Sequence, residues 1–173
     1  MELLIGSGNS KDRRVGVPGM PEGWTELVTL DIDPGVKPDV VHDLNDLPLP
    51  FDDDMFDEIH AYEVLEHTGQ QGDWRFFFNQ FYELWRIMKP NAYLCCAVPA
   101  WDSKWAWGDP GHTRIISEAS LAFLNQNEYK LQIGKTAMTD YREWWKGDFD
   151  LVAMKYQEEG LGFVLQAIKP ARL

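Results

Sequence analysis

The stretch from Phe56 to Val98 constrains the fold most. "FDEIHAY", residues 56–62, alternates apolar and polar side chains, the period of a half-buried strand. Downstream, Trp74, Phe77, Phe78, Phe81, Leu84, Trp85 and Met88 recur at spacings of 3, 1, 3, 3, 1 and 3. That is one apolar stripe on a helix over residues 74–88, with Asp73 placed to cap it and Pro90 to end it. "YLCCAV", residues 93–98, is a short continuous apolar run, as expected of a central strand covered on both faces. Strand, helix, strand in that order forms a crossover unit and requires parallel pairing. The rest of the chain must fit a parallel sheet.

It does so with short elements. Leu3–Ile5 reads as a buried strand, Leu27–Leu30 as a second that ends at "DIDPG", and "DVVHD", residues 39–43, as a third. "LPLPFDDDM" is an irregular connection. Gly16, Pro18, Gly19, Pro21 and Gly23 break the segment 9–24 too often for a long helix, so the first crossover helix is short or absent. A second helix starts at Ser117, which can cap it while Ile116 staples against Leu121, and runs to about Asn127. Near the end, apolar segments 149–156 and 161–168 flank "QEEG" and read as a β-hairpin. The expected fold is α/β: a Rossmann-like, mostly parallel sheet flanked by helices, with a C-terminal antiparallel hairpin. At 173 residues, without repeat or linker, one domain spanning 1–173 is expected.

The net charge is −12, and residues 31–73 hold 13 acidic side chains against one basic one, Lys37. Such a surface repels anionic polymers, which makes nucleic acid a poor partner; most of it serves as a solubilising face. Cys95 and Cys96 are adjacent, so on a strand they point to opposite faces and are poor partners for each other. Two free thiols suit a reducing compartment. No run is long and apolar enough for a membrane helix, and Met1-Glu2 leads at once into the first apolar run without a secretory leader. The cytoplasm is the expected location. His42, His60, His67 and His112 show no ligand spacing and there is no C-x-x-C, so no metal site is expected.

In open parallel sheets, ligands sit at the carboxyl ends of the strands. Those ends carry, in order, Gly6-Ser7-Gly8-Asn9, Asp31, Asp43-Leu44, Tyr62-Glu63 with "EVLEH", and Pro99-Ala100-Trp101. Glycines admit close backbone approach. Asp31, 23 residues past Gly8, suits ribose hydroxyls and disfavours a 2′-phosphate. A carboxylate at Asp43 can accept from an adenine amine. Each signal alone has an ordinary explanation: G-x-G is a common turn, Asp31 can open the "DIDPG" turn, and Asp43 can cap the adjoining loop. Together, in this order, they point to adenosine. A third fingerprint glycine is missing, because position 11 is Lys11. A pyrophosphate would then miss the helix N-terminus it needs, whereas a methionine moiety needs only close backbone approach.

"LLIGSGNS", "LVTLDIDP", "VVHDLNDLPLPFDDDMFDEIHAYEVLEHT" and "LWRIMKPNAYLCCAVP" resemble the class I S-adenosylmethionine-dependent methyltransferases, in particular the small group with a G-C-G-N glycine loop. The resemblance covers roughly residues 2–100, and "GDPGHTRIISEASLAFL" extends it more weakly. It implies that Gly6, Ser7, Gly8 and Asn9 wrap the methionine part of S-adenosylmethionine. It implies further that Asp31 holds the ribose, Ile32 lies against adenine, and Asp43 with the Leu44 backbone reads the adenine amine. Ala61, Tyr62 and Glu63 would line the methyl-transfer side, and S-adenosylhomocysteine would be the product. Ser7 replaces a frequent cysteine, and Asn91-Ala92 replaces a usual Gly-Gly, though Asn tolerates the left-handed conformation.

A sulfonium is already an activated electrophile, so alignment carries most of such a reaction. A base is needed only for a protonated acceptor, and Glu63, His67 and His112 are the candidates. A histidine beside a carboxylate is more often a structural hydrogen bond. Trp101, Trp105, Trp107, Trp144 and Trp145 crowd residues 100–148 with Tyr129 and Tyr141, either as packing or as a lid over a planar or cationic substrate. Trp101 and Trp107 are the better candidates for the site. Lys11, Arg13 and Arg14 can meet an anionic group or form a solvated loop. The expected activity is methyl transfer to an unidentified acceptor, a small molecule or protein rather than nucleic acid. The alternatives are a non-catalytic binding or interaction protein of the same fold and, disfavoured by the missing glycine, a nicotinamide-dependent oxidoreductase. Oligomeric state is left open.

Overall fold

The computed structural model describes residues 1–17, 19–20 and 22–173. One sheet contains β1 (Glu2–Ile5), β2 (Leu27–Asp31), β3 (Val40–Val41), β4 (Phe56–Tyr62), β5 (Met88–Pro99), β6 (Phe149–Gln157) and β7 (Gly160–Ala167), in the order β3-β2-β1-β4-β5-β7-β6. The first five strands are parallel, and β7 lies between β5 and β6, antiparallel to both. Strand order reverses between β1 and β4, which opens a crevice at their carboxyl ends. This is the Rossmann-like sheet with a C-terminal hairpin that the apolar pattern predicts.

The helices are α1 (Trp74–Ile87), α2 (Lys104–Gly108), α3 (Glu118–Leu121) and α4 (Gln126–Gln132). Asp73 caps α1 by accepting the Phe76 N–H at 3.0 Å. The helix stops before Pro90 because the backbone N–H groups of Asp54 and Met55 take the carbonyls of Arg86 and Ile87 at 3.0 and 2.8 Å. Met88 is then free to pair with Phe56, so β5 begins five residues before the expected 93 and turns at Asn91, whose φ is 65°. At the other end of the sheet β3 shrinks to two residues. There the Asp39 carboxylate accepts the Thr29 N–H at 2.8 Å and takes the place of a ladder bond.

The helix expected from Ser117 to about Asn127 is divided. Asn125 is extended (φ −102°, ψ 117°) and caps α4 instead of continuing α3. Gln126 fixes the break, since its N–H donates to Asp148 at 2.9 Å and its amide to the Gly147 carbonyl at 2.8 Å. The short helix α2 has no counterpart in the sequence pattern. Among the described residues of 9–24 there is no helix.

The two faces of the sheet differ. Ile5, Ile59, Leu94 and Phe163 share one core with Phe81 of α1 and with Trp145, which is fully buried. On the opposite face of β4 stand Glu58, His60 and Tyr62, with Cys95 of β5 beside them. That face is covered by the broken segment after the glycine loop: Arg13 pairs with Glu58, the Val15 N–H donates to the Tyr62 hydroxyl, and Trp24 meets His60 edge-on.

Candidate active site at the strand ends

A cleft of about 290 Å³ opens at the carboxyl ends of β1, β2, β3 and β4. Gly6, Gly8, Asp31, Ile32, Asp43 and Leu44 line one side, and Glu63, Val64 and His67 the other. Gly6 and Gly8 have φ of 61° and 49°, a conformation that side chains rarely adopt. A Cβ on Gly6 would also overlap Val64, whereas one on Gly8 would project into open space. The loop is therefore pressed against the strand ends on one side and leaves room on the other.

The Asp31 carboxylate, 9% exposed, is fixed at both oxygens. One accepts the Gly8 N–H at 2.8 Å, the other the Asp33 N–H at 2.9 Å. Each oxygen retains acceptor capacity. Asp43 accepts the Asn45 N–H and side-chain amide through one oxygen, at 2.8 and 2.9 Å. Asn45 in turn accepts the Gly69 N–H at 2.8 Å, which ties the end of β3 to the loop after β4. Nothing in the sequence singles out Asn45. Ile32, 62% exposed, offers an apolar face to the same cleft.

Four residues expected nearby are placed differently. Ser7 is buried, with its N–H donating to the Leu30 carbonyl at 3.3 Å, and Asn9 is exposed outside the cleft lining. Ala61 is buried in the core. The Tyr62 ring turns to the covered face, where its hydroxyl donates to His60 Nδ1 at 2.5 Å and accepts the Val15 N–H at 3.2 Å. Burial pushes that hydroxyl up to about 12.

Glu63 and His67 line one end of the cleft, and His112 stands against His67 outside the lining. Glu63 has φ 51°, uncommon for a residue with a side chain, and is held there by its N–H to the Ala97 carbonyl at 2.8 Å. His67 closes the single turn Leu65–His67. His112 arrives from 45 residues away because the Thr113 and Arg114 N–H groups donate to the Glu66 carbonyl at 2.9 and 3.3 Å. The two imidazoles meet edge-to-face, centroids 4.6 Å apart. His67 Nδ1 lies 3.1 Å from the Gly111 carbonyl and His112 Nδ1 lies 2.8 Å from the Trp105 carbonyl. A carbonyl only accepts, so both Nδ1 atoms carry protons, and each ring in its neutral form presents its lone pair at Nε2.

Sequence reasoning missed Glu66. It is 2% exposed, and neither carboxylate oxygen has a hydrogen-bond partner. Burial, with Glu63 close by, pushes its pKa up to about 8. Arg114, equally buried, does not pair with it. Its N–H groups go to the Leu65 carbonyl at 2.9 Å, to Thr68 Oγ1 at 3.0 Å and to Gln80.

The aromatic segment divides. Trp145 and Tyr129 are core, Trp105 donates to Glu159 at 2.5 Å, and Tyr141 and Trp144 pack on Trp74. Trp101 and Trp107 are exposed beside a separate open cavity of about 590 Å³, next to Ile115 and Glu118. Arg13 is committed to Glu58, and Arg14 lies over the Tyr62 ring.

No family profile and no curated protein matches the sequence. Solved structures do. An S-adenosylmethionine-dependent methyltransferase from Archaeoglobus fulgidus is similar over 95% of this chain and 85% of its own, at 15% identity and a TM-score of 0.55. The chain has the class I S-adenosylmethionine-dependent methyltransferase fold. A second enzyme of that description, from Aquifex aeolicus, matches over 96% of this chain and 81% of its own (13% identity, TM-score 0.54). The N-methyltransferase NodS from Bradyrhizobium japonicum, in complex with S-adenosylhomocysteine, matches over 96% and 76% (13% identity, TM-score 0.54). In the methyltransferase fold the cleft described above occupies the switch point, where ligands of open α/β sheets bind.

Proposed function

We propose that this chain transfers a methyl group from S-adenosylmethionine to a small molecule or a protein. The observation that carries the reading is the convergence of four strand-end loops on one cleft, with Gly8, Asp31, Ile32 and Asp43 all facing it. These residues fit the group. The loop leaves open space at Gly8, Asp31 keeps acceptor capacity for two ribose hydroxyls, and Ile32 presents an apolar face for a base. Asp43 has an oxygen left for an adenine amine beside the Leu44 backbone. Gly6, Ser7 and Asn9 would shape the loop around the amino-acid part, and Ala61 and Tyr62 would contribute through backbone only, given where their side chains lie.

When bound, S-adenosylmethionine supplies a methyl group already activated on a sulfonium. The chain's task is to hold an acceptor in line and keep it from diffusing. Glu63 and His67 stand at the far side of the cleft, and a neutral His67, its Nδ1–H held by the Gly111 carbonyl, would take at Nε2 the proton of an acceptor that arrives with one. His112 supports His67 from behind. The 31–73 acidity turns anionic polymers away, which favours a small molecule or protein acceptor over nucleic acid. Two buried thiols, Cys95 and Cys96, favour the cytoplasm. No helix among the described residues is long and apolar enough to cross a membrane.

Calorimetric titration with S-adenosylhomocysteine and with NAD tests this. The proposal expects binding of the first, weakened at least about 100-fold in Asp31→Ala through loss of its charged hydrogen bonds, and no binding of NAD. Absence of S-adenosylhomocysteine binding at millimolar concentration, or preference for NAD, would overturn it.

A further inference from the structure

Two clusters of potential metal ligands occur among the described residues, Glu58–His60–Cys95 and Glu66–His67–His112. The first is closed. Glu58 is taken by Arg13 and by His60 Nε2 at 3.0 Å, and His60 Nδ1 is taken by Tyr62. An ion there would have to displace bonds already made in a sealed space.

The second cluster is open. One donor atom from each of Glu66, His67 and His112 lies within 4.8 Å of the others. Both histidines hold their Nδ1 protons against backbone carbonyls, Gly111 for His67 and Trp105 for His112. That is the outer support a metal-bound imidazole needs: it fixes the tautomer, aims the Nε2 lone pair and raises its basicity. The third donor is the buried Glu66 carboxyl, whose oxygens accept no hydrogen bond and whose near neighbour is Glu63, while the buried Arg114 spends its N–H groups on Leu65, Thr68 and Gln80. A buried carboxyl that no cation pairs with either stays protonated or coordinates a metal, which would displace the proton. Asp109 adds negative charge nearby, with a carboxylate oxygen 3.8 Å from His112 Nε2.

We propose that Glu66, His67 and His112 form a binding site for a divalent cation of the zinc class. Two imidazole nitrogens and one carboxylate oxygen suit Zn2+ and its first-row neighbours rather than Mg2+, which prefers oxygen. Three protein donors leave a fourth position for water or another oxygen ligand, and His67 is on the cleft wall, so that position adjoins the cleft. Histidine spacing along the chain could not show this, because 45 residues separate the two rings that the fold brings into contact. The site stands on side-chain geometry alone; it takes the His67 Nε2 that the methyl-transfer reading gives to proton acceptance, so His67 fills one role or the other.

The test is titration of chelator-treated, full-length protein with Zn2+ against a chromophoric indicator, repeated with Co2+ to read the visible band of a low-coordinate site. One equivalent per chain is expected, with His112→Gln and Glu66→Gln each weakening Zn2+ by about 100-fold or more, since losing outer support alone costs about 10- to 100-fold. Cys95→Ala, in the closed cluster, should leave Zn2+ affinity unchanged. Circular dichroism checks folding. If His112→Gln does not fold, Glu66→Gln decides, because it conserves volume and breaks no hydrogen bond. Failure of the wild-type protein to bind Zn2+ stoichiometrically, unchanged affinity in the Glu66 variant, or loss of binding in Cys95→Ala overturns the proposal.

Discussion

Strand β4 and the turn after it carry two glutamate–histidine pairs, Glu58 with His60 and Glu66 with His67, and their surroundings are opposite. Around Glu58 and His60 the fold has supplied partners: an arginine and an indole edge brought by the segment that replaced a helix, and the Tyr62 hydroxyl from β4 itself. Around Glu66 and His67 it has withheld them. A carboxyl is buried with neither oxygen hydrogen-bonded, both imidazole Nε2 atoms lack a hydrogen-bond partner among the described residues, and Glu63 is held at a rarely used backbone angle. The first arrangement holds the sheet together, and the second is available to react. Residue type is the same in both, and what separates them is the pairing of the carboxyl: Glu58 has an arginine and an imidazole, Glu66 has neither.

Four changes should break or sharpen that contrast. Arg13→Met leaves the 2%-exposed Glu58 buried without its cation, and should lower unfolding free energy by about 3–5 kcal/mol in denaturant titrations. A loss below about 1 kcal/mol, the size of a surface pair, would show that the cover is not held by this pair.

Acid should act on the same cluster. Burial and the nearby Arg13 guanidinium push the His60 pKa down to about 3. Above the ordinary histidine value of about 6.5 both folded and unfolded chains carry it neutral, and nothing is gained or lost. Below that value the unfolded chain takes up a proton that the folded chain refuses. Stability should therefore fall by about 1.4 kcal/mol per pH unit as pH drops from about 6 towards 4. Denaturation curves over that range measure the slope, and His60→Gln should flatten it.

The open cluster should answer in the opposite direction. In metal-free protein, Glu66→Gln replaces an unpartnered buried carboxyl with a neutral amide of equal size, and should raise stability by about 1 kcal/mol in a thermal melt. A clear loss instead would mean that Glu66 is a structural partner like Glu58. Least affected of all should be Trp107→Ala. At 69% exposure it should shift stability by no more than about 0.5 kcal/mol, and any larger consequence should appear only when an acceptor is present.

Local sequence carried the sheet and one side of the cleft. Alternation in 56–62, the stripe in 74–88 and the apolar run 93–98 dictate a parallel crossover, and each strand end then delivers its residue to the switch point. Gly8, Asp31, Ile32 and Asp43 were legible because each sits directly after its strand. What was not legible depends on distance along the chain. The break at Asn125 is set by Asp148 and Gly147, the early start of β5 by residues 54–55, and the meeting of His67 with His112 by backbone bonds from 113–114 to Glu66. Tyr62 looked like a cleft residue because it ends β4. Strand alternation sends its side chain to the other face, where segment 9–24 waits for it.

Ligand should enter the open cleft at the strand ends and leave the sealed cluster untouched. Amide hydrogen exchange with and without S-adenosylhomocysteine tests this most directly, residue by residue. Added protection is expected in residues 6–9, 31–33 and 43–45, with none in residues 13–17 over His60. Saturating ligand that protects 13–17 and leaves 31–33 and 43–45 unchanged would contradict it.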